Sequence, residues 1–394
     1  MGAYLSSPVT EKETQCGMGG DVVYGTSCMQ GWRRSMEDAH ICDVGLDGGA
    51  HITGKRLNVF GVFDGHGGAE VARFCERHLT KELLKSSEWN AGDVGKALVH
   101  GFHKIDELLQ DSSHWSEVVS LKNGPEGGSA GGGGAANGAA DDGEDGDNAL
   151  ALFQRMLVLR KLVEKKQNGG AADGEDSEDL SISENSEPET PASETIMQAG
   201  CTAVVAVMLG NKLVVANAGD SRAVLCSGTK AVAMSFDHKP SDARETKRIT
   251  AAGGFVTSAT GQPRVNGNLN LSRAIGDLKY KGDTTRPVSE QVITAEPDIM
   301  SRDLDPSTDR FMVLACDGVW DVLSNQECVD FVRERLDAAD RAGGKQAQKG
   351  TKERSELLGK ICEAVMERCL SPNPRDTGGI GCDNMTCTIV EIYQ

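Results

Sequence analysis

Three apolar runs that end or begin at an aspartate constrain the fold of this chain most strongly. "NVFGVFDG" (58–65) and "FMVLACDG" (311–318) each pass from consecutive apolar residues into Asp-Gly, and "DNMTCTIV" (383–390) begins with an aspartate. Consecutive apolar residues over this length are typical of strands buried on both faces. A carboxylate at the end of a buried strand costs free energy unless it is paired or bound to a cation.

These acids allow two interpretations. A turn explains any one of them alone, because Asp-Gly is a common turn sequence. Three of them, together with Glu37 and Asp38 beside the strand that begins "AHICDV", indicate a site for a hard divalent cation with oxygen ligands. No Cys/His cluster has the spacing of a zinc site, so the pattern favours Mg²⁺ or Mn²⁺ over Zn²⁺.

The remaining pattern predicts a layered fold. Short strands are expected at 22–30 and 38–46. Turn residues split the apolar segment after residue 201 into successive antiparallel hairpins, at Gly210-Asn211, Gly219-Asp220 and Ser227-Gly228. Apolar residues at helical spacing predict helices at 69–85, 93–111, 241–252, 325–340 and 353–370. Buried strands with paired helices predict an α+β fold, a four-layer α/β/β/α sandwich with two central, mainly antiparallel β-sheets flanked by helices.

Composition divides the chain into parts. Residues 123–154 and 171–199 contain six and nine acids without a base, and so carry 15 of the 18 net negative charges. Such polar sequence cannot bury enough apolar surface to offset the entropy of ordering. We therefore expect one domain at 22–393 that contains an acidic, largely disordered insertion at 113–195 with one helix at about 148–167. Residues 1–21 are expected to form a flexible N-terminal tail.

Charge and cysteine content limit the class of protein. The net charge of −18 disfavours nucleic-acid binding, which requires basic surface. The twelve cysteines form no CxxC pair, and no secretory signal or membrane span is recognisable, as expected for a reduced cytoplasmic protein. The N-terminal "MGAYLS" matches the N-myristoylation pattern at Gly2, with Ser6 at the favoured position. One myristoyl chain binds membranes only marginally, so we expect peripheral membrane contact at most; an unmodified tail and a nuclear location stay open.

Six sequence blocks, taken together, are specific enough to indicate a protein family. In order, they are "RRSMEDAH" (33–40), "VFDGHGG" (62–68), "AGDSRAVL" (218–225), "LSRAIGD" (271–277), "CDGVWDVLS" (316–324) and "GCDNMT" (381–386). This set closely resembles the signature blocks of the metal-dependent type 2C protein phosphatases, the PPM family. The resemblance covers roughly residues 22–112 and 196–393, which is everything except the tail and the insertion.

The resemblance implies a metal centre with two Mn²⁺ or Mg²⁺ ions. Asp64 would bridge both ions, with the backbone carbonyl of Gly65 as an additional ligand. Asp317 and Asp383 would hold one of the metals. No position of this sequence departs from the family pattern at these ligands, which disfavours an inactive relative.

The same resemblance implies roles for four further acids. Glu37 and Asp38 would act mainly through metal-bound waters or from behind the ligands. Asp220 and Asp321 resemble the acids that recruit a weaker third metal in this family.

The expected reaction is hydrolysis of phosphoserine and phosphothreonine monoesters in proteins. A hydroxide bridging the two ions would attack phosphorus in line. Arg33 would bind the phosphate, because its planar fork matches two phosphate oxygens. His66 would donate a proton to the leaving alkoxide, since its ordinary pKa lies near neutrality.

Two alternatives to this function are considered. A catalytically silent adaptor is disfavoured by the complete set of Arg33, Asp64, Asp317 and Asp383. A hydrolase of small phosphoesters has the same catalytic groups and stays open. We expect a monomer, in which the acidic insertion either binds a protein partner or acts as a spacer.

Overall fold

The computed structural model describes residues 4–49, 52, 55–122, 197–259 and 261–393. Gly2, most of the predicted insertion and its predicted helix at 148–167 lie outside these ranges. The described strands are β1 (Val9–Gly19), β2 (Val22–Gly31), β3 (Ala39–Leu46), β4 (Leu57–Phe63), β5 (Gly65–His66), β6 (Gly200–Cys201), β7 (Ala203–Leu209), β8 (Lys212–Ala218), β9 (Arg222–Ser227), β10 (Lys230–Ala233), β11 (Val256–Thr257), β12 (Arg264–Val265), β13 (Ile275–Gly276), β14 (Asp298–Asp303), β15 (Asp309–Ala315) and β16 (Met385–Ile392).

The α-helices of the same residues include the five that the sequence predicts within the described ranges, each within two residues at either end. In chain order they are α1 (Glu70–Lys85), α2 (Ser87–Asn90), α3 (Val94–Gln110), α4 (Trp115–Lys122), α5 (Ala243–Ala251), α6 (Asp317–Trp320), α7 (Asn325–Ala342), α8 (Lys352–Cys369) and α9 (Pro374–Thr377).

Two large sheets and two pairs of helices form four layers. The six-stranded sheet has the order β1-β2-β16-β15-β9-β10, the five-stranded sheet has the order β14-β8-β7-β4-β3, and their ladders are antiparallel. α7 and α8 pack on the first sheet through Val332 and Val365. α1 and α3 pack on the second through Phe74 and Phe102. A third core that includes Phe60 lies between the sheets, so the predicted sandwich is confirmed.

β4 illustrates why the strands are apolar throughout. Leu57, Val59 and Phe63 belong to the core shared with α1 and α3. Phe60 and Val62 belong to the core between the two sheets. Both faces of the strand are therefore buried, and alternation of apolar and polar residues is absent.

A small sheet with the order β13-β6-β5 joins three distant segments. Gly65 pairs with Cys201 and His66 pairs with Gly200 on one side of β6. Ile275 pairs with Cys201 on the other side. The residues that follow β4 and those that follow β13 are therefore held next to each other.

The prediction of a flexible tail over residues 1–21 was wrong for most of that segment. β1 pairs with β2 along its length, from Lys12 opposite Met29 to Gly19 opposite Val22. β1 is an edge strand whose side chains are mostly polar, so it lacks the apolar pattern by which buried strands are recognised. Its order comes from backbone pairing and from contacts with α8, such as Thr14 Oγ1 to Glu363 Oε1 at 2.6 Å.

One of the predicted hairpins is a crossover. The turns at Gly210-Asn211 and Ser227-Gly228 join paired strands, as predicted. At Gly219-Asp220 the chain instead leaves β8 in the five-stranded sheet and enters β9 in the six-stranded sheet. Gly219 has a φ of +126°, and a Cβ there would lie 2.4 Å from Thr202 Cβ, so this crossing requires glycine.

Ordered structure extends past the predicted start of the insertion at residue 113. α4 packs on the core around α1 through Val118 and Leu121, both buried. The short apolar pattern of "WSEVVSLK" is compatible with this helix, but it was grouped with the acidic sequence that follows.

A buried ion network fixes the segment that contains α5. Glu245 Oε1 accepts hydrogen bonds from Arg273 Nη2 at 2.6 Å and Nε at 3.2 Å, and Glu245 Oε2 accepts from Ser272 Oγ at 2.8 Å. Arg248 also contacts this carboxylate. Burial alone would raise the pKa of Glu245, but the two arginines outweigh it and hold the pKa at about 2.

This network predicts an acid-sensitive contribution to stability. Because the pKa of Glu245 is depressed from 4.5 to about 2, its contribution is present above pH 4.5 and is lost as the pH falls toward 2. We expect Glu245→Gln to lower the free energy of unfolding by about 3 kcal/mol at pH 7. At pH 3.5 this loss should be smaller by about 1 kcal/mol. Urea unfolding at both pH values measures the difference.

The matched control is Glu334→Gln on α7, where the side chain is exposed; we expect it to change stability by less than about 0.5 kcal/mol. An equal loss for Glu245→Gln at both pH values would contradict the assigned role of the carboxylate.

Candidate metal centre

Strand ends from both large sheets converge on one cluster of acids. Asp317 follows β15 and Asp383 precedes β16, and because these neighbours are antiparallel their two ends meet at the same edge. Asp64 follows β4 and Asp38 precedes β3, which are paired in the same way in the other sheet. Asp220 lies at the crossover between the sheets.

The glycines of the two Asp-Gly pairs are required by close packing. A Cβ at Gly65 would lie 2.2 Å from the carbonyl oxygen of Glu37, and a Cβ at Gly318 would lie 2.1 Å from that of Asn384. Neither glycine has a left-handed φ. Another strand end of the site therefore crosses directly over each pair, which a turn alone would not require.

The carboxylates raise one another's pKa. Burial, followed by the charges of neighbouring aspartates, holds the pKa of Asp64 and of Asp317 well above the usual range. Burial also raises the pKa of Asp383, even though Arg33 opposes it. The pKa of Asp321 is raised by burial and by Asp220 and lowered by a nearby lysine, with a net increase. The nearby cationic side chains therefore do not neutralise all of the negative charge of these carboxylates.

Asp38 has an oxygen that accepts no hydrogen bond from an N–H or O–H group of the described residues. Its Oδ2 accepts from Thr386 Oγ1 at 2.7 Å, but its buried Oδ1 has no such partner. Burial raises the pKa of Asp38 to about 7. One oxygen of Asp38, one of Asp64 and the Sγ of Cys316 lie within 4.8 Å of one another.

The donor set fits a hard divalent cation. The Cys316 thiol lies 3.5 Å from the carbonyl oxygen of Asn384 and also contacts Asp38, and burial, followed by the charges of Asp38 and Asp64, holds its pKa well above the usual range. A thiol suits soft metals, whereas the carboxylate oxygens of Asp38 and Asp64 beside it are hard donors. Oxygen ligands of this kind suit Mg²⁺ or Mn²⁺.

Glu37 is satisfied by protein donors. Its Oε1 accepts from Ser35 Oγ at 2.6 Å and its Oε2 accepts from the backbone N–H of Gly68 at 3.1 Å. Its own backbone N–H donates to Asn384 Oδ1 at 3.0 Å. Glu37 thus orients the loop after Asp64.

Two cations contact the cluster. The side chain of Arg33, which is 52 % exposed, contacts Asp383. Lys239 Nζ donates to Asp220 Oδ2 at 2.6 Å. Arg33 was predicted from the sequence, whereas Lys239 was not.

His66 is paired with a buried acid that the sequence interpretation did not single out. His66 Nε2 and Asp277 Oδ2 lie 2.6 Å apart, and the Asp277 side chain is fully buried. A Cβ at Gly200 would lie 2.5 Å from Asp277 Oδ2 and 2.8 Å from His66 Nε2, so glycine in β6 makes room for the pair. Burial alone would lower the pKa of His66, but Asp277 outweighs it and raises the pKa.

The site residues that sequence reasoning missed differ in whether the sequence contains a pattern that could have identified them. Asp277, Cys316, Asn384 and Thr386 lie inside the six sequence blocks, so a closer look at every polar residue in those blocks would have found them. Lys239 lies outside the blocks, and only its position beside the crossover shows its relation to Asp220.

A four-layer sandwich with acids clustered at its strand ends is the arrangement expected of a metal-dependent hydrolase. The family model "Protein phosphatase 2C" matches residues 22–129 and 143–378. The chain belongs to the protein phosphatase 2C family, whose members are metal-dependent serine/threonine phosphatases, and it is therefore a phosphoprotein phosphatase.

Relatives match over nearly the whole chain. The probable protein phosphatase 2C 11 of Oryza sativa subsp. japonica is 37 % identical over 394 residues, which is all of this chain and 91 % of the relative. The probable protein phosphatase 2C 4 of Paramecium tetraurelia is 36 % identical over 392 residues, 99 % of this chain and 98 % of the relative.

The fold is also that of a solved structure, a phosphatase from a pathogenic strain of Toxoplasma gondii. That likeness has a TM-score of 0.57 at 19 % identity and covers 97 % of this chain and 96 % of the other.

Within the described residues, no helix has the length and apolar character needed to cross a membrane.

Proposed function

We propose that this protein hydrolyses phosphoserine and phosphothreonine monoesters in protein substrates with two Mn²⁺ or Mg²⁺ ions bound at the Asp64 cluster. The observation that carries the proposal is the convergence of Asp64, Asp317 and Asp383, with raised pKa values, beside the unpartnered Oδ1 of Asp38. Such a cluster is stable as a fully charged group only beside additional positive charge.

The proposed ligands divide into three sets. Asp64 would hold both ions, the Gly65 carbonyl would contribute to one, and Asp317 and Asp383 would hold one of them. When bound, the ions supply positive charge and a water of lowered pKa for attack on phosphorus. Asp38 and Glu37 act from behind the ligands, Glu37 through its bond to Gly68.

A weaker third ion is proposed at Asp220 and Asp321. Asp220 raises the pKa of both Asp317 and Asp321, which supports a shared location for these three acids.

Arg33 is proposed to bind the substrate phosphate. Its guanidinium is half exposed and contacts Asp383, so it can reach a phosphate at the cluster while keeping one carboxylate contact. Two parallel N–H donors match two phosphate oxygens.

His66 is proposed to protonate the leaving serine or threonine oxygen. Nε2 donates to Asp277 Oδ2, which leaves Nδ1 as the nitrogen for the transferable proton. Asp277 is a positioning residue, because it fixes the ring and favours its protonated form.

The main test is phosphatase assay of a phosphothreonine peptide after chelation with EDTA and after addition of Mn²⁺. We expect activity to vanish with EDTA, to return with Mn²⁺, and to fall at least about a hundredfold in Asp64→Asn at unchanged circular dichroism. Asp303→Asn, an exposed acid at the end of β14, serves as control and should keep full activity. Activity that survives thorough chelation, or hydrolysis of phosphorylated metabolites but no phosphopeptide, refutes the proposal.

The role of Asp277 predicts a dependence on the leaving group. Asp277→Asn should lower kcat for the phosphothreonine peptide by about tenfold or more, because the alkoxide needs a proton. The same variant should lower kcat for p-nitrophenyl phosphate much less, since p-nitrophenolate leaves without protonation. Equal losses for both substrates would show that Asp277 has only a structural role.

We also propose that Gly2 carries an N-myristoyl group, supported by the sequence "MGAYLS". Co-expression with an N-myristoyltransferase should raise the intact mass by one myristoyl group in the wild type and not in Gly2→Ala. An unchanged wild-type mass would overturn this proposal.

A further inference from the structure

Lys239 is a cation built into the acidic cluster. Its Nζ donates to Asp220 Oδ2 at 2.6 Å, and the Asp220 side chain is only 2 % exposed. A lysine side chain with its ordinary pKa of about 10.4 is a charged ammonium at neutral pH, so Lys239 brings a positive charge to the buried carboxylate.

The backbone holds Lys239 against the crossover. The N–H of His238 donates to the carbonyl of Gly219 at 2.9 Å, and the N–H of Gly219 donates to His238 Nδ1 at 3.2 Å. Asn217 Nδ2 donates to the carbonyl of Phe236 at 2.9 Å. The residue before Lys239 is therefore clamped to the residue before Asp220.

The two partners differ in freedom to move. The Lys239 side chain is 38 % exposed, whereas Asp220 is buried. The ammonium can turn into solvent on its flexible stem, but the carboxylate cannot leave the cluster. A buried carboxylate without a partner is costly, so Asp220 requires either this ammonium or another cation.

We propose that Lys239 is the exchangeable counter-ion of Asp220, which holds this carboxylate when the third divalent cation is absent and competes with that cation for it. The inference rests on the proposed function, because the third ion is part of the proposed site. Competition arises because an ammonium and a divalent cation at one carboxylate repel each other. Lys239 thereby keeps the third site weaker than the two principal ones.

A purely structural ion pair is the competing explanation. In that case removal of the lysine destabilises the fold but leaves the affinity for divalent cations unchanged. In the proposed case, removal of the lysine leaves Asp220 free for the cation and raises the affinity of the weak site.

The test is Mn²⁺ binding, followed as the free Mn²⁺ signal in electron paramagnetic resonance, in the wild type, Lys239→Met and Asp64→Asn. Lys239→Met should lower the Kd of the weak site at least about tenfold, equivalent to about 1.4 kcal/mol, and leave the tight sites unchanged. Lys247→Met on α5, an exposed lysine, is the matched control and should bind Mn²⁺ like the wild type. A double variant, Lys239→Met with Asp220→Asn, should lose the weak site.

Thermal unfolding supplies a second readout if Lys239→Met folds poorly without metal. Mn²⁺ should then raise the Tm of Lys239→Met more than that of the wild type, because at a given ligand concentration tighter binding to the folded state gives a larger stabilisation. An unchanged weak-site Kd, or an equal rise in Tm, overturns the proposal for Lys239. Absence of tight Mn²⁺ binding that depends on Asp64 instead overturns the proposed function and this inference with it.

Discussion

Crowding of carboxylates at one edge of two packed sheets is the constraint on which the rest of this structure depends. Two unit charges 4 Å apart interact with about 4 kcal/mol at an effective dielectric constant of 20. Asp64, Asp317 and Asp383 are held together by strands that are buried on both faces, so they cannot separate. The free energy of the apolar core therefore holds in place a cluster that repels itself. This crowding supports the proposed site for divalent cations, because bound cations would offset the repulsion.

The sequence predicted the parts of this arrangement that are local. An apolar run that ends at Asp-Gly or begins after an aspartate marks a buried strand beside a candidate metal ligand, so β4, β15, β16 and their aspartates could be found from the chain alone. The five longest described helices could be found in the same way, because amphipathic spacing is local. The resemblance to a family then connected acids that are far apart in sequence.

What could not be predicted depends on pairings between distant residues. β1 is ordered by backbone bonds to β2 and contacts with α8, which leave no apolar pattern. His66 and Asp277 are separated by 211 residues and meet only because β5, β6 and β13 form one small sheet. The turn at Gly219 resembles a hairpin in sequence, but its neighbouring strands belong to different sheets.

A single buried network connects Lys239 and Asp277, two of the site residues that sequence reasoning missed. Ser272 Oγ lies within hydrogen-bonding distance of the carbonyl of His238, at 3.0 Å, and of Glu245 Oε2, at 2.8 Å. His238 directly precedes Lys239, and the segment that begins at Ser272 leads through Arg273 to Asp277. The same network thus positions the counter-ion of Asp220 and the partner of His66. Because rigid buried pairs transmit displacement through packed neighbours, a change at Lys239 and a change at His66 are expected to be energetically coupled.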